Sequence, residues 1–241
     1  MGFYVPGDEG YQRAKALKQG RATLDPAFGR FVERFERRYG VAPLAIEPTA
    51  TERAGGLGWP HLDITLERSA QLQAFRTGPD PDDGLDRTKQ REIAGMLVDA
   101  MAGTSLRRLF GMPRNTPLSY PWRDEIYVVL SDFERTAKWE VHDLVTEDER
   151  ERWVESLALG EAFWCTQRFL GPPRVFVHTD AQAAELTEAE RQDAWGDGWF
   201  ALAKAHDELG YLEREDVVIA LDSRQSFEEN HQGSWYDYFR A

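Results

Sequence analysis

Three short apolar runs, each closing on polar residues with helix-start chemistry close behind, limit what this chain can fold into. The clearest is Asp216 to Phe227, in which Val217-Val218-Ile219-Ala220-Leu221 stops at Asp222 and Ser223. Glu125 to Leu130 stops in the same way at Ser131 and Asp132, and Arg174 to Val177 at His178, Thr179 and Asp180. β-Branched apolar runs of this length read as buried strands, and the acids and hydroxyls behind them satisfy the free N–H groups that open a helix. Strands and helices therefore alternate over the second half of the chain.

The intervening segments supply the helices. Asp25 before Pro26 predicts a helix start, after which Phe28, Phe31, Val32, Phe35 and Tyr39 repeat at helical spacing as far as Gly40. Tyr11 to Gln19 reads as a shorter helix and Leu85 to Met101 as an amphipathic one. Ser131 with Glu134, Thr146 with Glu149, and Thr187 with Glu190 have capping-box spacing. The second predicts a helix running through Trp153 and Leu157 to Phe169, until Gly171-Pro172-Pro173 ends it. The third opens a helix carrying Trp195, Trp199, Leu202, His206 and Leu209 up to Gly210. Leu44 to Glu47 reads as a short strand. His61 to Leu66 alternates like a half-buried strand, with Leu62, Ile64 and Leu66 on one side and His61, Asp63 and Thr65 on the other.

The strands are few and short, the first half alternates poorly, and the His61 strand has a polar face. These features predict an α+β fold, with a mixed or antiparallel sheet of about four to five short strands flanked by helices. A doubly wound α/β fold is the alternative. A single globular domain over residues 1–241 is expected, with the Gly, Pro and Asp cluster of Thr77 to Asp86 as the place where it would subdivide. Thr51 to Pro60 and Gly111 to Pro121 read as irregular loops. No fixed-period repeat is visible, and the likeness among the strand endings is too short to count as one.

Charge narrows the partners. Asp+Glu number 42 against Lys+Arg 29, a net −13, which disfavours a nucleic-acid backbone. Residues 1–40 run against this trend with eight basic and five acidic side chains, a segment expected to dock on its own acidic body. The one cysteine, Cys165, has no internal disulfide partner and follows Phe163 and Trp164, so an inert core thiol and a reducing, cytoplasmic location are expected. No secretory leader and no long apolar run is present, so no membrane span is expected.

Candidate chemistry is sparse. If the three polar-ended strands are parallel neighbours, Asp132, His178, Asp180 and Asp222 meet at the carboxyl edge of one sheet and could hold Mg²⁺ or Mn²⁺. Helix capping accounts for Asp180 and Asp222 without a metal. Among the histidines, His61 with Asp63 and His178 with Asp180 have the strand spacing that puts both side chains on one face; His142-Asp143 and His206-Asp207 do not. Arg30, Arg34, Arg37 and Arg38 form a stripe that could take phosphate, although Glu33 and Glu36 interleave with it. The C-terminal tract holds Trp235, Tyr236, Tyr238 and Phe239, residue types that dominate partner interfaces. HExxH, CxxC, nucleophile-elbow and P-loop motifs are all missing from the sequence, and no cofactor is implied. The leading expectation is a non-catalytic acidic cytoplasmic protein that binds another protein, as an inhibitor, immunity-type factor or regulator of a basic target. A metal-dependent hydrolase or phosphoryl-transfer enzyme using the strand-end carboxylates is the alternative.

Overall fold

The structure, a computed structural model, describes residues 4–52, 58–75, 85–101, 106–113, 121–187 and 189–240. The chain divides into two compact units, Met1–Thr136 and Ala137–Ala241. The expected subdivision at Thr77 to Asp86 falls almost wholly outside the described residues, as does the centre of the Thr51 to Pro60 loop.

The first unit opens with α1 (Glu9–Lys18) and α2 (Gly29–Tyr39). Asp25 accepts from the Ala27 N–H at the turn before α2, and Gly40 ends that helix at φ 74°, a conformation that costs glycine nothing. The hairpin β1 (Ala45–Glu52) and β2 (Gly58–Leu66) follows, then α3 (Ser69–Gln73), α4 (Arg87–Ala100), α5 (Leu106–Leu109) and α6 (Trp122–Glu125). Strand β3 (Tyr127–Asp132) then pairs parallel to β2, which is antiparallel to β1. The alternation read in the sequence holds: Leu62, Ile64 and Leu66 are fully buried with Ile46, Val128 and Leu130 against the Phe28, Phe31 and Phe35 stripe of the preceding turn and α2. α7 (Phe133–Leu144) starts in this unit and ends in the second.

The second unit continues with α8 (Glu147–Ser156), the hairpin β4 (Phe163–Gln167) and β5 (Arg174–Val177), α9 (Asp180–Leu186), α10 (Ala189–Ala205), β6 (Leu221–Ser223), α11 (Arg224–His231) and α12 (Trp235–Tyr238). β4 is antiparallel to β5, and β6 is parallel to it. Val175 packs with Trp153, Trp195, Trp199, Val217 and Ile219 on one side of this sheet. Phe176, Phe227 and Tyr238 form a separate aromatic core on the other.

The α+β class therefore holds, but its strands are shared between two three-stranded mixed sheets rather than gathered in one of four to five. Three local expectations fail for identifiable reasons. The helix expected to reach Phe169 stops at Ser156, because Ala158 (φ 53°) and Gly160 (φ 53°) are left-handed and Phe163 onward pairs as β4. The run from Val217 is a strand only over Leu221–Ser223, although Val217 and Ile219 are buried. Asp132 rather than Ser131 caps α7, accepting from the Arg135 N–H at 2.9 Å, because β3 runs two residues beyond its apolar run. Among the described residues, no helix is long and apolar enough to cross a membrane.

Candidate functional site

Each unit buries one face of its sheet against a hydrophobic core and covers the other with a segment from near a chain end. In the first unit the covered face is polar. Strand alternation puts Glu47 of β1, Asp63 and Thr65 of β2 and Ser131 of β3 on the same side, with Glu47 directly opposite Asp63 and Thr65 opposite Ser131. Two carboxylates facing each other across an antiparallel pair repel. Two neighbours moderate this, His61 Nδ1 at 2.9 Å from Asp63 and Arg13 of α1 at 3.7 Å from Glu47, while the Tyr4 hydroxyl bonds Thr65 and Ser131 beside them. Burial raises the Glu47 pKa against the opposing pull of Arg13, and the Asp63 charge adds to the rise. Burial, reinforced by Asp63, pushes the Tyr4 hydroxyl up to about 12. A Cβ at Gly10 would lie 2.6 Å from the Tyr4 ring, so α1 can seat over this face only with glycine there.

The corresponding face of the second unit is aromatic. Phe227 and Trp235 stack with centroids 3.9 Å apart, and Trp164, Phe176 and Tyr238 surround them. Tyr238 donates to Asp222 at 2.7 Å and accepts from Arg174 at 3.0 Å. Burial, with Asp222 accepting its proton, raises the tyrosine's pKa. The Arg174 guanidinium also lies over the rings of Tyr238 and Phe239, at 5.2 and 5.6 Å. Of the four C-terminal aromatics singled out in the sequence, Tyr238 is thus core and Trp235 and Phe239 are half-buried around it. Tyr236 is 67% exposed, with Arg240 over its ring.

Nothing in the sequence marks Phe169 as an exposed ring. It is 61% exposed, packs against Phe239 at 5.5 Å, and sits on the β4–β5 connection beside Leu170, whose φ of 47° is left-handed. A branched residue in that region costs roughly 1 kcal/mol, so the loop is held in a disfavoured shape while it presents an aromatic ring to solvent.

The strand-end carboxylates fall in different sheets: Asp132 ends β3, while Asp180 and Asp222 belong to the second unit. Asp132 is 3% exposed and accepts from the Ser69 hydroxyl at 2.8 Å as well as from the Arg135 N–H. Asp180 accepts from the Ser223 hydroxyl, and Asp222 from Tyr238 and the Ser223 N–H. His178 is exposed. The caps of α9 and α11 are Thr179 and Ser223, each one residue from the acid that the sequence suggested. Among the described residues, no group of three or more His, Cys, Asp or Glu is placed to hold a metal ion.

Two arginines of the α2 stripe face carboxylates of α4, Arg38 with Glu92 at 2.6 Å and Arg34 with Asp99 at 3.8 Å. Lys18 adds a 2.7 Å pair with Glu67, so the basic N-terminal segment docks on acids of its own unit. The buried histidine is His142, which accepts from Trp199 Nε1 at 3.0 Å and is driven down to about 4, chiefly by burial and then by Arg168. His206, expected on the buried face of α10, instead follows the helix and meets Glu149 at 3.2 Å. Burial pushes the Cys165 thiol up to about 11, so it is a poor nucleophile. The chain matches no known family model, no curated protein and no solved structure.

Proposed function

We propose that this is a non-catalytic, acidic cytoplasmic protein that binds another protein through the C-terminal aromatic surface of its second unit. The observation that carries the reading is Phe169, an exposed ring held by a left-handed residue against Phe239 and the Arg174 stack. Aromatic rings and arginines are the side chains that most often anchor protein interfaces. Tyr236 with Arg240 extends the same tract. The net charge of −13 adds long-range steering toward a basic partner, so encounter is expected to be fast and salt-sensitive. The reading is of an inhibitor, immunity-type factor or regulator.

The test is affinity purification at low salt with the wild-type chain and Phe169→Ala side by side, after checking that both have the same melting temperature. A partner retained by the wild type, eluted by salt and lost from the variant supports the proposal. Failure to retain any salt-sensitive partner, or equal retention by both proteins, contradicts it.

A further inference from the structure

We infer that the chain is a tandem duplication of one β-β-α-β-α module, and that both copies close by the same serine–carboxylate clamp with donor and acceptor positions exchanged. The topologies match first. Each sheet is an antiparallel hairpin followed, after a helical crossover, by a third strand parallel to the hairpin's second strand and by a helix leaving its end.

The match continues at single residues. Leu66 ends β2 and pairs with Asp132 at the end of β3; Val177 ends β5 and pairs with Ser223 at the end of β6. Counting on from these two ends places Arg68 with Thr179, Ser69 with Asp180, and Gln71 with Gln182. The Gln71 amide oxygen accepts from the Arg68 N–H at 2.9 Å, and that of Gln182 from the Thr179 N–H at 3.0 Å. Counting on from the third strands places Glu134 with Gln225 and Arg135 with Ser226. Glu134 accepts from the Ser69 N–H at 3.1 Å, and Gln225 from the Asp180 N–H at 3.4 Å. Asp132 accepts from the Arg135 N–H, and Ser223 from the Ser226 N–H. The clamp crosses between the two sites: Ser69 donates to Asp132 in the first copy, and Ser223 donates to Asp180 in the second.

Physical chemistry explains why the exchange is tolerated. Two helix N-termini meet at this point in each module, α3 with α7 and α9 with α11, and their free N–H groups favour negative charge there, to which Glu134 adds in the first copy where the second has the neutral Gln225. The carboxylate serves from either side provided a hydroxyl faces it. Two carboxylates would repel, and two hydroxyls would leave the charge out. A tyrosine covers each sheet too, but from opposite ends of the chain, Tyr4 ahead of the first hairpin and Tyr238 behind the last strand, so it stands outside the repeat. Thr65 and Ser131, bonded by Tyr4, occupy the places of Phe176 and Asp222, beside which Tyr238 lies. Asp132 and Asp180 are thereby engaged in closing their modules, and the tyrosine-covered face is where the copies have diverged.

The experiment is thermal unfolding of the full chain, followed by circular dichroism, with exchange variants. Asp132→Ser alone removes the charge and is expected to lower the melting temperature by roughly 5–10 °C. Adding Ser69→Asp restores the charge from the other side and should recover at least half of that loss, and Glu134→Gln, which completes the second copy's set, should recover more. The mirror set, Asp180→Ser with and without Ser223→Asp, should show the same pattern of loss and recovery on a smaller scale, since Asp180 is exposed. If Ser69→Asp alone does not fold, soluble recovery of the Ser69→Asp, Asp132→Ser double variant is read instead. Either double variant being no more stable or soluble than its worse single variant would overturn the inference.

Discussion

The two units share a frame and differ in what fills it. In the first, the face beneath the terminal tyrosine is a polar network of Glu47, Asp63, Thr65 and Ser131, closed by α1. In the second, the same places are held by Phe176 and Asp222, with Arg174 and an aromatic cluster closed by α11 and α12. The frame therefore depends on its clamp and on the apolar face of each sheet, which both units keep. The opposite face is free to vary: in the second unit it extends into exposed rings at Phe169 and Tyr236, whereas the first exposes Tyr127, stacked on His61.

The two clamps should differ most in what their loss costs. Asp132 is a buried acid holding both a hydroxyl and a helix N–H, so Asp132→Ala should cost about 3 kcal/mol in urea unfolding. Ser223→Ala removes a comparable cap but faces Asp180, which is exposed and can be rehydrated, so about 1–2 kcal/mol is expected. Equal losses would break the distinction between a buried and an exposed carboxylate.

Acid should also distinguish the units. His142 sits neutral in the second unit with a folded pKa of about 4 against 6.5 unfolded, so the unfolded state binds the proton first as pH falls. Its contribution is full above pH 6.5 and is lost toward pH 4, a change on the order of 2–3 kcal/mol. Urea unfolding across that window should show this slope in the wild type and a flatter one in His142→Gln. In the first unit the sign reverses: a raised Glu47 pKa means that the folded state takes the proton first, so acid relieves this site. Glu47→Gln should therefore stabilise slightly at neutral pH, by less than any loss above, and the gain should vanish once pH falls below the ordinary glutamate pKa. Between these in size lies Tyr238→Phe, which leaves Asp222 and Arg174 without the shared hydroxyl and should cost about 1 kcal/mol.

Much of the frame is legible in the sequence because its signals are local. The alternation of β2, the arginine-backed aromatic stripe of α2 and the Thr146–Glu149 capping box depend on residues within a turn or a strand of each other. β4 is hidden because the turn before it is made by Ala158, a residue with no preference for a left-handed backbone. The clamps are hidden because Ser69 and Asp132, like Asp180 and Ser223, meet only through a parallel register set by a long crossover. The carboxylate pair of Glu47 and Asp63 likewise needs the hairpin register. The aromatic tail is plain in the sequence, but which rings are core and which exposed is decided by Phe176 and Phe227, and Phe169 carries no pattern at all.

Each Ser–Asp pair is expected to be a single energetic unit. Double-mutant cycles to alanine over Ser69 with Asp132 and over Ser223 with Asp180, measured by urea unfolding, should each give a coupling of about 1–2 kcal/mol. Additivity within about 0.3 kcal/mol in either pair would show that the two modules do not close by the same device.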